Sequence, residues 1–134
     1  MRTIKFRGKT KQDGWVIGYY VGKSSLDAVA ILPPTNVNYD IGCINYSECY
    51  YCIADTIGQF TGLYDCHGKE IYEGDILDFN GLKIEIRFVR GVFALLCNGD
   101  LDQEMCGDCR TDLFAKVIGN IYDNPELLKE GKEE

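Results

Sequence analysis

Histidine, tryptophan and proline are scarce: the 134-residue chain holds one His, one Trp and three Pro. A single histidine, His67, excludes any metal site that needs a histidine pair. No glycine loop of the kind that cradles phosphate is present, nor a serine elbow. No apolar run approaches the roughly 20 residues of a membrane span. The opening MRTIKFRGKTKQ lacks the apolar core of a signal peptide. A cytoplasmic protein with no membrane partner is therefore expected. Internal repeats and low-complexity linkers are missing as well. Basic charge is also short, with 14 Lys and Arg against 21 Asp and Glu and a net charge of −7, which disfavours a general polyanion binder.

What is present suits an ordinary globular chain: 46% hydrophobic and 12% aromatic residues can bury a core without covalent staples. The charge is unevenly placed. Residues 1–23 carry six Lys or Arg against Asp13 alone, whereas residues 24–134 carry eight against twenty acids. One reading is a solvated hairpin with basic flanks. Another is a positive lobe that meets the acidic body of a neighbouring subunit. Seven cysteines, an odd number without an export signal, point to reduced thiols rather than a disulfide framework.

The recurring hydrophobic period is two. In FNGLKIEIRFV, Leu82, Ile84, Ile86 and Phe88 alternate with Lys83, Glu85 and Arg87, which predicts a half-buried strand with one charged face. DILDF precedes it through Asn80-Gly81, a pair that accepts the positive φ angles of a type I′ turn. GVFALLC follows Arg90-Gly91 and stops at Asn98-Gly99, so a meander is expected. Upstream, TIKFR and WVIGYYV flank GKTKQDG and predict another hairpin. AVAIL stops at Pro33-Pro34, residues 33–48 read as an irregular loop, and CYYCIA reads as a short strand. LFAKVIGNIY predicts a returning strand with a bend at Gly119, and NPELLKEGKEE a short helix capped by Asn124.

The expected fold class is mainly β, a β-rich α+β chain in one domain over 1–134. It divides into an N-terminal β-hairpin lobe over 1–54, a small SH3-like β-barrel or meander over 55–122, and a short C-terminal helix with a charged tail over 123–134.

The stretch TGLYDCHGKEIYEGDIL crowds Asp65, Cys66, His67, Lys69, Glu70, Glu73 and Asp75 together and invites a catalytic reading. Adjacent residues in extended chain point to opposite sides, so Cys66 and His67 are badly placed for a dyad. His67 would need a distant thiol such as Cys97 or Cys106. Paired carboxylates need an enclosed cleft, and a calcium loop is broken at Cys66 and Lys69. Turn chemistry accounts for more: Asp65 can accept backbone N–H groups while Gly68 turns the chain left-handed, and Gly74 with Asp75 does the same at a second bend. No residue is expected to be catalytic.

Two Cys-x-x-Cys pairs, Cys49 with Cys52 and Cys106 with Cys109, could together hold zinc as four thiolates. CGDC has the glycine that a tight knuckle needs. In CYYC, residues three apart on a strand face opposite ways, and burial as small hydrophobes is the more common fate of free cysteine. No cofactor is expected, with zinc as the alternative.

DTIGQFTGLYDCHGKEIYEGDIL, the later VIGNIYDNPELL and the amino-terminal IKFRGK together resemble the YopX family of phage and prophage proteins over nearly the whole chain. The resemblance implies a bacterial or phage origin, a small accessory protein of a mobile element, and assembly into a homo-oligomer. It brings no catalytic residues to carry over. Cys66-His67 departs from the polar residues usual at that turn, and neither cysteine pair belongs to the family blocks.

The leading functional expectation is a non-enzymatic module that binds an unidentified protein partner or itself, since nine tyrosines, several in NYDIGCINYSECYY, could furnish an interface. The rival is nucleic-acid binding by the small barrel and the basic hairpin, with Arg2, Lys5, Arg7, Lys9 and Lys11 on phosphates and Phe6 or Trp15 on bases. Alternation is read here as placing Lys5 opposite Phe6 and Arg7, so that those charges do not all share a face.

Overall fold

The computed structural model describes residues 3–23, 28–33, 49–105 and 110–129. The chain forms two compact units, Met1–Phe60 and Thr61–Glu134.

In the first unit, β1 (Phe6–Lys9), β2 (Trp15–Lys23), β3 (Ala28–Leu32), β4 (Tyr50–Ile53) and the start of β5 (Gly58–Tyr64) form an antiparallel sheet in the order β4-β3-β2-β1-β5. The β1–β2 turn is closed by Thr10, whose N–H donates to the Gly14 carbonyl (2.8 Å) and whose hydroxyl accepts from the Asp13 N–H (2.7 Å). Gly14 sits at φ 74°, a conformation glycine adopts without steric cost. At the same end of β1, the buried Thr56 hydroxyl accepts from the Lys9 N–H (2.9 Å) and donates to the Ile53 carbonyl (2.7 Å).

β3 is buried on both faces. Val29 and Ile31 pack with Cys52, Phe6, Val16 and Ile57, while Ala30 and Leu32 pack with Cys49 and Val21. This is why AVAIL carries no polar alternation. Two glycines let strands approach closely: a Cβ at Gly8 would lie 2.6 Å from Ile57 Cδ1, and one at Gly18 would overlap the Leu32 carbonyl.

β5 carries the chain into the second unit, where it pairs with β6 (Glu70–Tyr72). β7 (Asp75–Phe79), β8 (Leu82–Val89), β9 (Val92–Cys97) and β10 (Ala115–Asn120) form a second antiparallel sheet in the order β10-β7-β8-β9. The expected turns hold: Asn80-Gly81 has φ values of 54° and 94°, and Arg90-Gly91 of 51° and 81°, positive at both positions as a type I′ turn requires. Ile71, Leu77, Ile84, Ile86, Leu95 and Ala115 make the core. One-turn helices α1 (Thr111–Phe114) and α2 (Glu126–Lys129) complete the unit.

Three expectations are corrected here. The small SH3-like barrel does not close: among the described residues the second sheet is open, and the meander is what forms. The outer side of β9 is instead met by 103–105, through Cys97 N–H to the Gln103 carbonyl (3.0 Å) and Met105 N–H to the Leu95 carbonyl (2.8 Å). An open sheet is stable when its edges are covered in this way. Second, β8 is buried on both faces at its centre, because Glu85 is 3% exposed alongside Ile84 and Ile86. Third, the Asn124 side chain accepts from the Asn120 N–H (3.3 Å) rather than capping α2. The loop expected over 33–48 lies outside the described residues apart from Pro33.

Candidate functional site

The densest polar constellation is the turn after β5. Asp65, 4% exposed, accepts through Oδ1 from the N–H groups of His67 (2.9 Å) and Lys69 (2.9 Å), and through Oδ2 from Val117 N–H (3.0 Å). Gly68, at φ 79°, donates its N–H to the Asp65 carbonyl (3.0 Å). Burial opposes the Asp65 charge, but the N–H donors of Val117, Lys69 and His67, with the His67 imidazole beside them, hold the carboxyl below its ordinary value. The turn also covers the outer side of β10, since Cys66 N–H donates to the Ala115 carbonyl (2.9 Å). The carboxylate thereby does for Val117 what a neighbouring strand would do. Cys66 and His67 are both exposed, so this cluster is a fastening rather than an enclosed cleft.

The second bend is equally structural. Asp75, 1% exposed, accepts from Tyr72 N–H through Oδ2 (2.8 Å). Gly74 at φ 93° donates to the Ile86 carbonyl (2.8 Å) and accepts from Ile121 N–H (2.9 Å). On β8, Glu85 forms a two-point ion pair with Arg87, at 2.9 Å from Nε and 2.8 Å from Nη2, and the same guanidinium reaches the Gly99 carbonyl (3.3 Å).

Of the proposed zinc ligands, Cys49 and Cys52 are buried in different clusters on opposite faces of the first sheet, and burial pushes the Cys52 thiol up to about 11. Cys106 and Cys109 lie outside the described residues. Among the described residues no three His, Cys, Asp or Glu side chains gather as metal ligands do.

The register of the basic hairpin decides which of its charges share a face. Cross-strand partners share a face, and the register pairs Arg7 with Ile17 and Lys9 with Trp15. One face therefore carries Arg7 and Lys9 on β1 beside Trp15, Ile17 and Tyr19 on β2. The Arg7 Cζ lies 4.8 Å from the Trp15 ring centroid, and Lys5 Nζ lies 5.0 Å from that of Phe60. Lys11 is exposed in the turn, and Arg2 lies outside the described residues.

Sequence reasoning did not single out β4 as an edge. Among the described strands it pairs with β3 alone, and its Tyr50 and Tyr51 are 39% and 48% exposed. A cavity of about 560 Å³ opens between β4 and the β1–β2 turn, lined by Lys11, Asp13, Cys49, Tyr50 and Tyr51 among others.

The family model described as YopX protein matches residues 5–129, which takes in both units. The chain belongs to the YopX family. A solved structure similar to it is the crystal structure of protein EF1440 from Enterococcus faecalis, 25% identical, with a TM-score of 0.57 over 96% of this chain and 99% of that one. No match is found among curated proteins. The YopX match takes in the Asp65 and Gly74 turns. No helix among the described residues is long and apolar enough to cross a membrane.

Proposed function

We propose that this YopX-family chain is a non-enzymatic phage or prophage accessory protein that works by binding protein, a second copy of itself first. The observation behind this reading is β4, which among the described strands pairs with β3 alone, carries tyrosines half-exposed on both of its faces and has a cavity alongside. A strand at the margin of a sheet can receive another strand, and tyrosine adds broad contact with a polar tip. The chemistry found at the conspicuous polar turns is consumed in holding backbone, which leaves them no evident reaction to perform.

Light scattering across a concentration series tests the proposal. The chain is expected to exceed its 15.1 kDa monomer mass increasingly with concentration, and Tyr51→Lys, which places a charge on the edge, is expected to return it to monomer. A strictly monomeric protein at every concentration would end the self-association reading.

A further inference from the structure

Trp15, Ile17 and Tyr19 alternate along one face of β2, and across from them β1 presents Arg7 and Lys9 on that same face. Ile17 and Tyr19 are 42% and 41% exposed, and Trp15, Arg7 and Lys9 are partly exposed. A core face would not be built this way, because two cations stand among its apolar side chains. A merely solvated face would not carry three large apolar residues in succession. The combination is that of a stacking platform with a phosphate rail beside it.

We propose that this face of the β1–β2 hairpin binds single-stranded nucleic acid, with Arg7, Lys9 and the turn residue Lys11 contacting phosphates and Trp15 and Tyr19 stacking on bases. Trp15 and Tyr19 are four residues apart, about 13 Å along the strand, so two bases do not compete for one ring. Arg7 already lies over the Trp15 ring, which orients the indole and places a cation beside any base stacked there. Unpaired bases are the fitting ligand because only they can offer a free π-face to the rings.

The distribution of charge permits this despite the net value. The first unit carries six basic against five acidic side chains, and the second carries eight against sixteen. The acidity that argued against a polyanion ligand belongs to the second unit. With about three phosphates neutralised, a slope of about −0.7 per contact predicts roughly 100-fold weaker binding for a tenfold rise in salt.

The site lies on the face of β1–β2, whereas the assembly proposed above uses the edge of β4, so each can fail alone. Trp15 is the only tryptophan in the chain, and its fluorescence therefore reports from the site itself. The full chain is titrated at low salt with oligothymidylate and oligouridylate of about 20 nucleotides, longer than the roughly 4–16 that one small β fold occupies. Saturable quenching that falls steeply with salt is expected. Lys11→Glu, an exposed turn substitution, is expected to weaken binding at least several-fold with an unchanged thermal transition, and Arg7→Ala with Lys9→Ala to abolish it. Tyr51→Lys should leave it intact. Comparison of the two oligonucleotides shows whether DNA or RNA is preferred. No quenching by either would overturn the proposal, as would equal quenching by heparin, which has phosphate-like charge but no bases.

Discussion

At the scale of single residues, buried carboxylates decide more than the exposed reactive groups around them. Asp65 looked like one member of a reactive cluster, yet each hydrogen bond its carboxylate accepts comes from a backbone N–H. Asp65→Asn replaces an accepting oxygen with an amide that cannot accept, and about 2 kcal/mol of stability should be lost at neutral pH. The pH dependence has a definite sign. Because the folded carboxyl sits below its ordinary value of about 3.9, its contribution is complete above that value and drains as pH falls through the lower folded one. The stability gap between wild type and Asp65→Asn should hold steady from about pH 7 to about pH 5 and narrow below about pH 4. Urea unfolding across that range measures it, and a gap that widened in acid would contradict the assigned role. The turn was legible in the sequence because Asp and Gly at that spacing have few other uses. Its reach to Val117, 52 positions away, was not, since nothing local encodes which distant strand a carboxylate fastens.

At the scale of elements, the strand periods and the Asn-Gly and Arg-Gly turns set the β7–β8–β9 meander. Alternation failed at Glu85, where it predicted a charged solvent face, and at the strand ends, where Leu82 and Phe88 of the expected apolar face are each 50% exposed. The carboxylate is covered because Arg87 pairs with it at two points and Gly99 comes close: a Cβ on Gly99 would stand 2.7 Å from Glu85 Oε1 and 3.3 Å from Leu128 Cδ1 of α2. Period two cannot show that a one-turn helix from the end of the chain has come to lie there. In β2 the same limit appears as two glycines that read alike. Gly18 sits against the Leu32 backbone, whereas nothing stands within 4 Å of a Cβ at Gly22. Gly18→Ala should therefore cost about 2–3 kcal/mol because a backbone carbonyl cannot swing aside, while Gly22→Ala should stay within about 0.5 kcal/mol of wild type. Urea midpoints of the two variants provide the check, and equal midpoints would show that β2 and β3 do not pack as closely as described.

At the scale of the whole molecule, charge and assembly separate by their response to salt. The first unit is slightly basic and all of the −7 net charge comes from the excess of acids in the second unit, so a contact between a basic lobe and an acidic body would weaken as salt screens it. Pairing through the β4 edge relies on backbone hydrogen bonds and tyrosine contact, which salt leaves nearly unchanged. Sedimentation at low and at tenfold higher salt is expected to return the same assembled mass. Dissociation in high salt would move the interface from β4 to the charged surfaces.

The sequence alone determined the family, the β-rich class, the meander and its turns, because these depend on residue period, positive-φ dipeptides and contiguous blocks read along the chain. Tertiary structure decided that the second sheet stays open among the described residues, that Glu85 is buried, that Cys49 and Cys52 part to opposite faces, and that Arg7 and Lys9 share a face with Trp15, Ile17 and Tyr19. Each of these depends on which strand becomes whose neighbour and in which register, and register is settled by packing between residues far apart in the chain.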